Sequence, residues 1–162
     1  MEAIILVGVL VIIILIAAIA GAKKGKALAN EGKITQRQQS FWEYAEFFTT
    51  TASYEDVREA VKNTSFEDCK ADVYPDFEGN KFILFKSSHG WNAALKYTGE
   101  QDGKHTFTFY FPAWNTQKYG MPYGMMEMNV IETTIEKLFL SLDAETTVTT
   151  KRLETKSKSK LL

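Results

Sequence analysis

Few residues in this 162-residue chain have the side chains that bind metal ions most readily. The candidates are Cys69, His89 and His105, and no two of them are close enough in the sequence to form a pair of ligands. A protein metal site needs three or four ligands held together. We therefore predict no metal site, and the sequence indicates no other cofactor.

Nucleophilic catalysis would require Ser87, Ser88 or Cys69 to be activated by a histidine. Ser88 and His89 are adjacent, but neighbouring side chains point in different directions in an extended chain, so adjacency does not indicate a hydrogen bond. The sequence has no nucleophile elbow and no glycine-rich phosphate loop. Its many carboxylates are explained more simply as solvated faces than as acid–base pairs. The sequence predicts no catalytic residue and favours a protein that is not an enzyme.

The most unusual composition lies between Tyr110 and Met128, where aromatic residues and methionines are concentrated. Such side chains adapt to irregular apolar partners, which would make this segment a binding surface for a peptide, a lipid or another membrane protein. The simpler alternative is that they close one end of the core under a long loop. The candidate binding residues are Trp114, Tyr119, Met121 and Tyr123.

The charges are segregated along the chain, although the formal net charge is only −1. Residues 23–37 and residues 151–162 each have a net charge of +4. Between them, residues 38–150 hold nine basic and 17 acidic side chains, which gives a net charge of −8. Because nucleic-acid binding depends on a basic face, this acidic domain is not expected to bind nucleic acid.

Residues 3–22 are predicted to form a transmembrane helix. The 18 residues from Ala3 to Ala20 carry no charge, and with the next two residues they would span about 30 Å, the thickness of a bilayer core. The alternative is a cleaved secretory signal, because Ala18-Ile19-Ala20 resembles a cleavage site. The length of the apolar run and the absence of a preceding positive charge favour the transmembrane helix.

Basic residues follow this helix and none precedes it, which predicts a single-pass protein of the cell membrane with its C-terminal domain in the cytoplasm. The linker, residues 23–37, would lie along the lipid headgroups, where each lysine gains about 1 kcal/mol beside anionic lipid. The predicted membrane-surface residues are Lys23, Lys24 and Lys26.

The domain, residues 38–150, has the patterns of both strands and helices. A strand is predicted over Phe41–Thr51 from its aromatic and threonine content. Ser53 and Asp56 form the pattern of a capping box before a short helix. Four later segments, rich in aromatic and β-branched residues and separated by turn residues, predict an antiparallel meander. These segments are Cys69–Tyr74, Lys81–Lys86, Trp91–Thr98 and His105–Phe111.

A long amphipathic helix is predicted over Gly124–Leu142, because apolar residues recur there at three- and four-residue steps. The acidic residues placed away from the apolar stripe are Glu127, Glu132 and Glu136. The segment Thr146–Thr150 could add a last strand, and residues 151–162 are predicted to be a basic tail.

The predicted fold class is α+β. A transmembrane helix precedes one small domain, which has an antiparallel sheet of about five strands, a short helix and a long C-terminal amphipathic helix in the order β-α-β-β-β-β-α. This order resembles the layout of the TATA-binding-protein and helix-grip folds, which implies a scaffold but no particular function. The functional prediction is a non-catalytic interaction module near the bilayer that binds a protein or peptide. The alternative is a small-ligand sensor or small enzyme with a pocket between the sheet and the long helix.

Overall fold

The computed structural model describes residues 23–153, with the exception of residue 119. The chain divides into two compact units, residues 1–35 and residues 36–162. The predicted transmembrane helix, residues 3–22, lies outside the described residues, as does most of the predicted basic tail. Within the part of the chain that is described, no helix is both long enough and apolar enough to cross a membrane.

The first unit is helical from residue 23 to residue 30. The helix ends where the backbone amide of Lys33 donates a hydrogen bond to the carbonyl of Leu28 at 2.8 Å. The predicted membrane-surface lysines, Lys23, Lys24 and Lys26, are all on this helix and are exposed.

Over its described residues, the second unit is an α+β domain with one six-stranded antiparallel sheet and two α-helices. The helices are α1 (Tyr54–Lys62) and α2 (Met125–Leu142). The strands are β1 (Tyr44–Thr50), β2 (Ala71–Tyr74), β3 (Phe82–Ser87), β4 (Trp91–Gln101), β5 (Lys104–Trp114) and β6 (Thr147–Arg152). The predicted order of elements is confirmed, and β6 extends it.

The strands lie in the order β2-β3-β4-β5-β1-β6. The predicted meander of four successive strands is therefore confirmed, and β1 is added beside its last strand. Phe48 of β1 lies opposite Phe107 of β5 on one side and Val148 of β6 on the other. As a result, β1 has a neighbouring strand on each side, and the side chains on its inner face can be buried.

The capping box that begins α1 is confirmed. The hydroxyl of Ser53 accepts a hydrogen bond from the backbone amide of Asp56 at 3.2 Å, and the Asp56 carboxylate accepts one from the amide of Ser53 at 2.9 Å. These two bonds satisfy amides that would otherwise lack partners at the start of the helix. The helix then buries Val57 and Val61.

Both helices pack on one face of the sheet. The ring of Phe139 in α2 stacks on Phe48 with 4.3 Å between centroids and contacts Phe107 at 5.1 Å. In α1, Tyr54 lies 6.1 Å from the ring of Tyr97. The core lies between this face and the helices, and β5 contributes the alternating residues predicted to share one face, Phe107, Phe109 and Phe111.

Several strand boundaries differ from the prediction: β2 begins at Ala71 and not at Cys69, and β4 and β5 extend to Gln101 and Trp114. The strand predicted over Phe41–Thr51 begins only at Tyr44, because Ser40 has a left-handed backbone conformation (φ 60°) and the next three residues form a 3-10 turn. Lys151 and Arg152, which were assigned to the basic tail, belong to β6. Arg152 is held there by a hydrogen bond to the carboxylate of Glu43.

Candidate functional site

The segment between β5 and α2 forms a compact loop held by backbone hydrogen bonds. The amide of Asn115 donates to the carbonyl of Gly90 at 2.9 Å, and the amide of Tyr123 donates to the carbonyl of Asn115 at 3.0 Å. Within the loop, the amide of Gln117 donates to the carbonyl of Met121 at 2.7 Å. These bonds fix the loop to the turn between β3 and β4.

The predicted binding residues in this loop differ in exposure. Met121 and Tyr123 are 47% and 51% exposed, and Met125 at the start of α2 is 42% exposed. Trp114 is half-buried, and Tyr119 lies outside the described residues. We define the three exposed residues, Met121, Tyr123 and Met125, as the Met–Tyr surface. Because they face solvent, closure of the core does not account for them.

A pocket of about 510 Å³ lies between the β3–β4 turn, the loop and the start of α2. This volume is within the range of small-molecule binding sites. We call it the His89 pocket; it is lined by Ser88, His89, Gly90, Asn115, Tyr123, Gly124 and Glu127. Tyr123 belongs to both features, so the pocket is continuous with the Met–Tyr surface.

Gly124 allows the start of α2 to approach the β3–β4 turn closely. It is the N-cap residue of the helix and has a φ of 68°, a conformation that favours glycine. A Cβ atom at this position would lie 2.8 Å from Cβ of His89 and 2.9 Å from Nε1 of Trp91. The shape of the His89 pocket therefore depends on this glycine.

The His89 pocket brings together groups that the sequence did not connect. Nδ1 of His89 lies 3.7 Å from Oε2 of Glu127, which is too far for a hydrogen bond. Ser88 lines the same pocket, but no hydrogen bond joins its hydroxyl to the His89 ring, so the two residues do not form a catalytic dyad. Two buried nitrogens, Nδ1 of His89 and Nε1 of Trp91, have no hydrogen-bond partner among the described residues. Since buried polar atoms are usually paired and His89 lines the pocket, Nδ1 of His89 favours a polar ligand there.

The remaining metal-ligand candidates have other surroundings. Among the described residues, no group of three or more histidine, cysteine, aspartate and glutamate side chains could hold a metal ion. Nδ1 of His105 lies 3.2 Å from the hydroxyl of Tyr97. Cys69 is buried, and burial raises the pKa of its thiol to about 12. The thiol is therefore protonated at neutral pH and is a poor nucleophile.

A second cluster of charged groups lies between β1 and α2, and we call it the Arg37 cluster. The guanidinium of Arg37 contacts Oε1 of Glu46 at 2.9 Å, Oε2 of Glu132 at 3.1 Å and Oε2 of Glu136 at 2.9 Å. It also donates to the hydroxyl of Thr133 at 3.2 Å. One positive charge thus faces three carboxyl groups, two of which, Glu46 and Glu132, are almost completely buried.

Two acidic residues of α2 contradict the prediction. Glu127 and Glu132 are predicted to lie away from the apolar stripe, but both are buried. Glu132 contacts Arg37, and Glu127 lines the His89 pocket. The sequence of β1 did indicate a buried charged group, because strand alternation puts the charged Glu46 on the same face as the core residue Phe48.

Burial has a large effect on the carboxyl groups of the Arg37 cluster. Burial raises the pKa of Glu46 to about 10, and the negative charges of Glu132 and Glu136 add to the rise more strongly than Arg37 opposes it. Burial also raises the pKa of Glu132 to about 7, although Arg37 lowers it in part. The folded protein therefore holds a proton on Glu46 at neutral pH.

Replacing Glu46 with glutamine is expected to weaken the pH dependence of stability. The folded-state pKa of Glu46 is raised from 4.5 to about 10, so the folded state holds one more proton than the unfolded state across this interval. Wild-type stability should therefore fall as pH rises, by about 1.4 kcal/mol per pH unit for this proton. Glutamine cannot release a proton, so E46Q should remove that part of the slope. Urea denaturation of the full chain between pH 5 and pH 9 measures it.

A matched control for E46Q is Glu59→Gln, because Glu59 lies on the exposed side of α1. This variant should keep the wild-type pH dependence. An E46Q protein whose stability falls with pH as steeply as that of the wild type would contradict the proton assigned to Glu46.

Comparison with known proteins identifies no family. No protein-family model matches the chain, and no curated protein matches it. Among solved structures, the chain is similar to the open form of the exocytosis-sensitive phosphoprotein pp63/parafusin, a phosphoglucomutase from Paramecium. The two are 14% identical with a TM-score of 0.37, and the match covers 76% of this chain and 27% of the other. A likeness this weak carries no argument about fold or function.

Proposed function

We propose that this protein is a non-catalytic interaction module that binds a segment of a partner protein at a membrane. The observation that carries the proposal is the Met–Tyr surface, where Met121, Tyr123 and Met125 are exposed on a loop and helix start held by backbone hydrogen bonds. A fixed loop binds with a smaller loss of conformational entropy than a flexible one. Methionine and tyrosine also adapt well to apolar partners.

The charge around this surface favours a partner segment that is both apolar and basic. Residues 38–150 have a net charge of −8, and Glu127 lines the pocket beside the Met–Tyr surface. Complementary charge accelerates association and rejects acidic competitors. In this proposal the apolar side chains of the partner cover the Met–Tyr surface, and a basic group of the partner approaches the His89 pocket.

The membrane tether is the second part of the proposal. Residues 3–22 would span the bilayer and hold the domain on the cytoplasmic side, with Lys23, Lys24 and Lys26 beside the headgroups. The support is the uncharged length of the segment and the basic residues that follow it. A tether of this kind raises the effective concentration of the domain for partners in the same membrane.

Three serine substitutions in the Met–Tyr surface are expected to weaken partner binding strongly without unfolding the domain. In the variant M121S/Y123S/M125S, loss of the apolar contacts should weaken binding by at least tenfold, as is typical when central interface residues are removed. Stability should change little, because exposed side chains contribute little to it. Affinity purification of the full chain from detergent-solubilised membranes, compared quantitatively with the wild type, measures the effect.

The matched control is L140S/L142S, which removes two leucines of α2 that are exposed to a similar degree, 46% and 38%. This variant should recover the same partner as the wild type. If the triple variant recovers the partner as well as L140S/L142S does, the Met–Tyr surface is not the binding site.

A small-ligand sensor is the second candidate function, because His89 lines the His89 pocket and its Nδ1 has no hydrogen-bond partner among the described residues. The two candidates depend on different residues. A sensor would need His89 and Glu127, whereas the interaction module needs the Met–Tyr surface. A small ligand would raise the free energy of unfolding of the isolated protein, by about 2.7 kcal/mol at a hundredfold excess over its Kd.

A further inference from the structure

A second concave site lies on a different part of the domain. A cleft of about 520 Å³ is lined by residues of β3, β4, β5 and the turn before β3, and we call it the Lys96 cleft. Phe82 lies directly opposite Lys96 across β3 and β4, and Lys96 lies opposite Thr108 of β5. By strand alternation these side chains point away from the face that α1 and α2 cover.

Two lysines, Lys81 and Lys96, line the Lys96 cleft. The amide of Tyr97, the residue after Lys96, donates a hydrogen bond to the carbonyl of Lys81 at 3.0 Å, so Lys81, which directly precedes β3, and Lys96 of β4 are at the same end of the cleft. Nζ of Lys81 lies 5.5 Å from the ring centre of Tyr54 and 4.7 Å from that of Tyr97, which also lines the cleft. Among the described residues, neither lysine forms an ion pair with a carboxylate.

This arrangement leaves positive charge available for an anion. A cation–π contact orients the ammonium group of Lys81 but does not neutralise its charge, and Lys96 has no carboxylate partner among the described residues. Both lysines therefore keep the ability to donate charge-assisted hydrogen bonds to phosphate oxygens. The surrounding domain is acidic, with a net charge of −8 over residues 38–150. A pair of lysines without carboxylate partners is therefore a distinct feature of this cleft.

The rings of the Lys96 cleft add a second kind of contact. Phe77 and Phe82 lie 6.1 Å apart, and Tyr110 lines the cleft from β5. All three are partly exposed. Partly exposed rings on a sheet surface are suited to stacking against planar bases, at about 1–3 kcal/mol per base.

We propose that the Lys96 cleft binds a free nucleoside phosphate, with the base on the rings of Phe82 and Tyr110 and the phosphates on Lys96 and Lys81. The volume suits a small molecule. A nucleic-acid strand carries a long series of negative charges that the acidic domain would repel, whereas a free nucleotide carries few. The concave shape of the cleft favours a compact ligand over a bilayer surface. This site is separate from the Met–Tyr surface and does not depend on the function proposed there.

Isothermal titration of the full chain in a non-ionic detergent tests the proposal with ADP as the probe. Lys96→Gln and Lys81→Gln should each weaken ADP binding by about tenfold, the loss expected for one charge-assisted contact. Tyr110→Leu keeps an apolar side chain but removes the ring, so it should weaken both ADP and adenosine by about tenfold. Lys104→Gln removes the same charge outside the cleft and should bind ADP like the wild type.

Several results would overturn the proposal. The first is that the wild type shows no saturable binding of ADP. The second is that pyrophosphate binds as tightly as ADP, and the third is that K104Q and K96Q lose ADP affinity equally. If a short oligouridylate binds more tightly than ADP through the same lysines, the ligand of the cleft is a nucleic acid and not a free nucleotide. If phosphatidylglycerol does so, the ligand is a lipid surface. Thermal unfolding of each variant identifies any loss that is due to misfolding. Because the Met–Tyr surface is unchanged in these variants, partner capture should remain intact whatever their affinity for ADP.

Discussion

Replacement of Arg37 with methionine should lower the free energy of unfolding by about 3–5 kcal/mol at neutral pH, because removal of one member of a buried charge network leaves the others uncompensated. The Arg37 side chain is only 10% exposed and contacts three carboxyl groups, those of Glu46, Glu132 and Glu136. Methionine keeps much of the apolar stem but offers no hydrogen-bond donor. Urea denaturation of the full chain at pH 7 measures the loss.

The matched control for R37M is Arg58→Met. Arg58 pairs with Asp76, but the two side chains are 34% and 37% exposed, so water screens their interaction. Loss of this exposed pair should cost at most about 1 kcal/mol. The loss of unfolding free energy in R37M should also be smaller at pH 5, where the buried carboxyl groups are more readily protonated. Equal losses in R37M and R58M would contradict the structural importance of the Arg37 cluster.

Truncation of Phe139 to alanine should destabilise the domain by about 3–5 kcal/mol, the usual cost of removing a buried aromatic ring. Phe139 is fully buried, and its ring packs on Phe48 of β1 and Phe107 of β5. The substitution removes the ring through which α2 contacts β1 and β5. Partner binding should weaken in proportion to the unfolded fraction, because only the folded domain presents the Met–Tyr surface. Thermal and urea unfolding measure the change.

The adjacent residue of the same helix gives the control. Leu140 is 46% exposed, so Leu140→Ala should change the free energy of unfolding by less than about 0.5 kcal/mol. Phe139→Leu keeps an apolar side chain in the core, so it should lower the free energy of unfolding less than Phe139→Ala does. Similar losses in F139A and L140A would mean that α2 does not pack on the sheet through the face described.

Local sequence patterns were sufficient to predict most of the fold. The capping box at Ser53 and Asp56 depends on residues three positions apart, so it could be recognised without knowledge of the tertiary structure. The alternation of Phe107, Phe109 and Phe111 similarly identified the buried face of β5. The placement of β1 between β5 and β6 could not be predicted in this way, because it depends on pairing between distant segments.

The Arg37 cluster shows what local patterns could not predict. Arg37 was assigned to the basic linker because it follows four lysines in a polar segment, yet its guanidinium is buried against residues about a hundred positions later in the chain. On α2, the three- and four-residue period identified the apolar stripe correctly. It placed Glu132 outside the core because a periodicity analysis assumes that a charged residue faces water. That assumption fails where a charged residue has a buried partner of opposite charge, as Glu132 has in Arg37.

The candidate site was predicted in part by composition. The concentration of aromatic residues and methionines indicated the loop, and the structure places Met121 and Tyr123 at its surface. Composition gave no indication of the His89 pocket, because its residues come from the β3–β4 turn, the loop and α2. The cleft around Lys96 was missed for the same reason, since its rings and lysines come together only through strand pairing.

The most direct test of the proposed interaction module is site-specific photo-cross-linking in intact membranes. A benzoylphenylalanine residue replaces Tyr123, which is in the Met–Tyr surface, and in a second version of the full chain it replaces Leu140, which is exposed elsewhere on α2. We predict one discrete protein adduct from position 123, absent in the presence of M121S and M125S, and none from position 140. No adduct from position 123, or the same adducts from both positions, would contradict the proposed function.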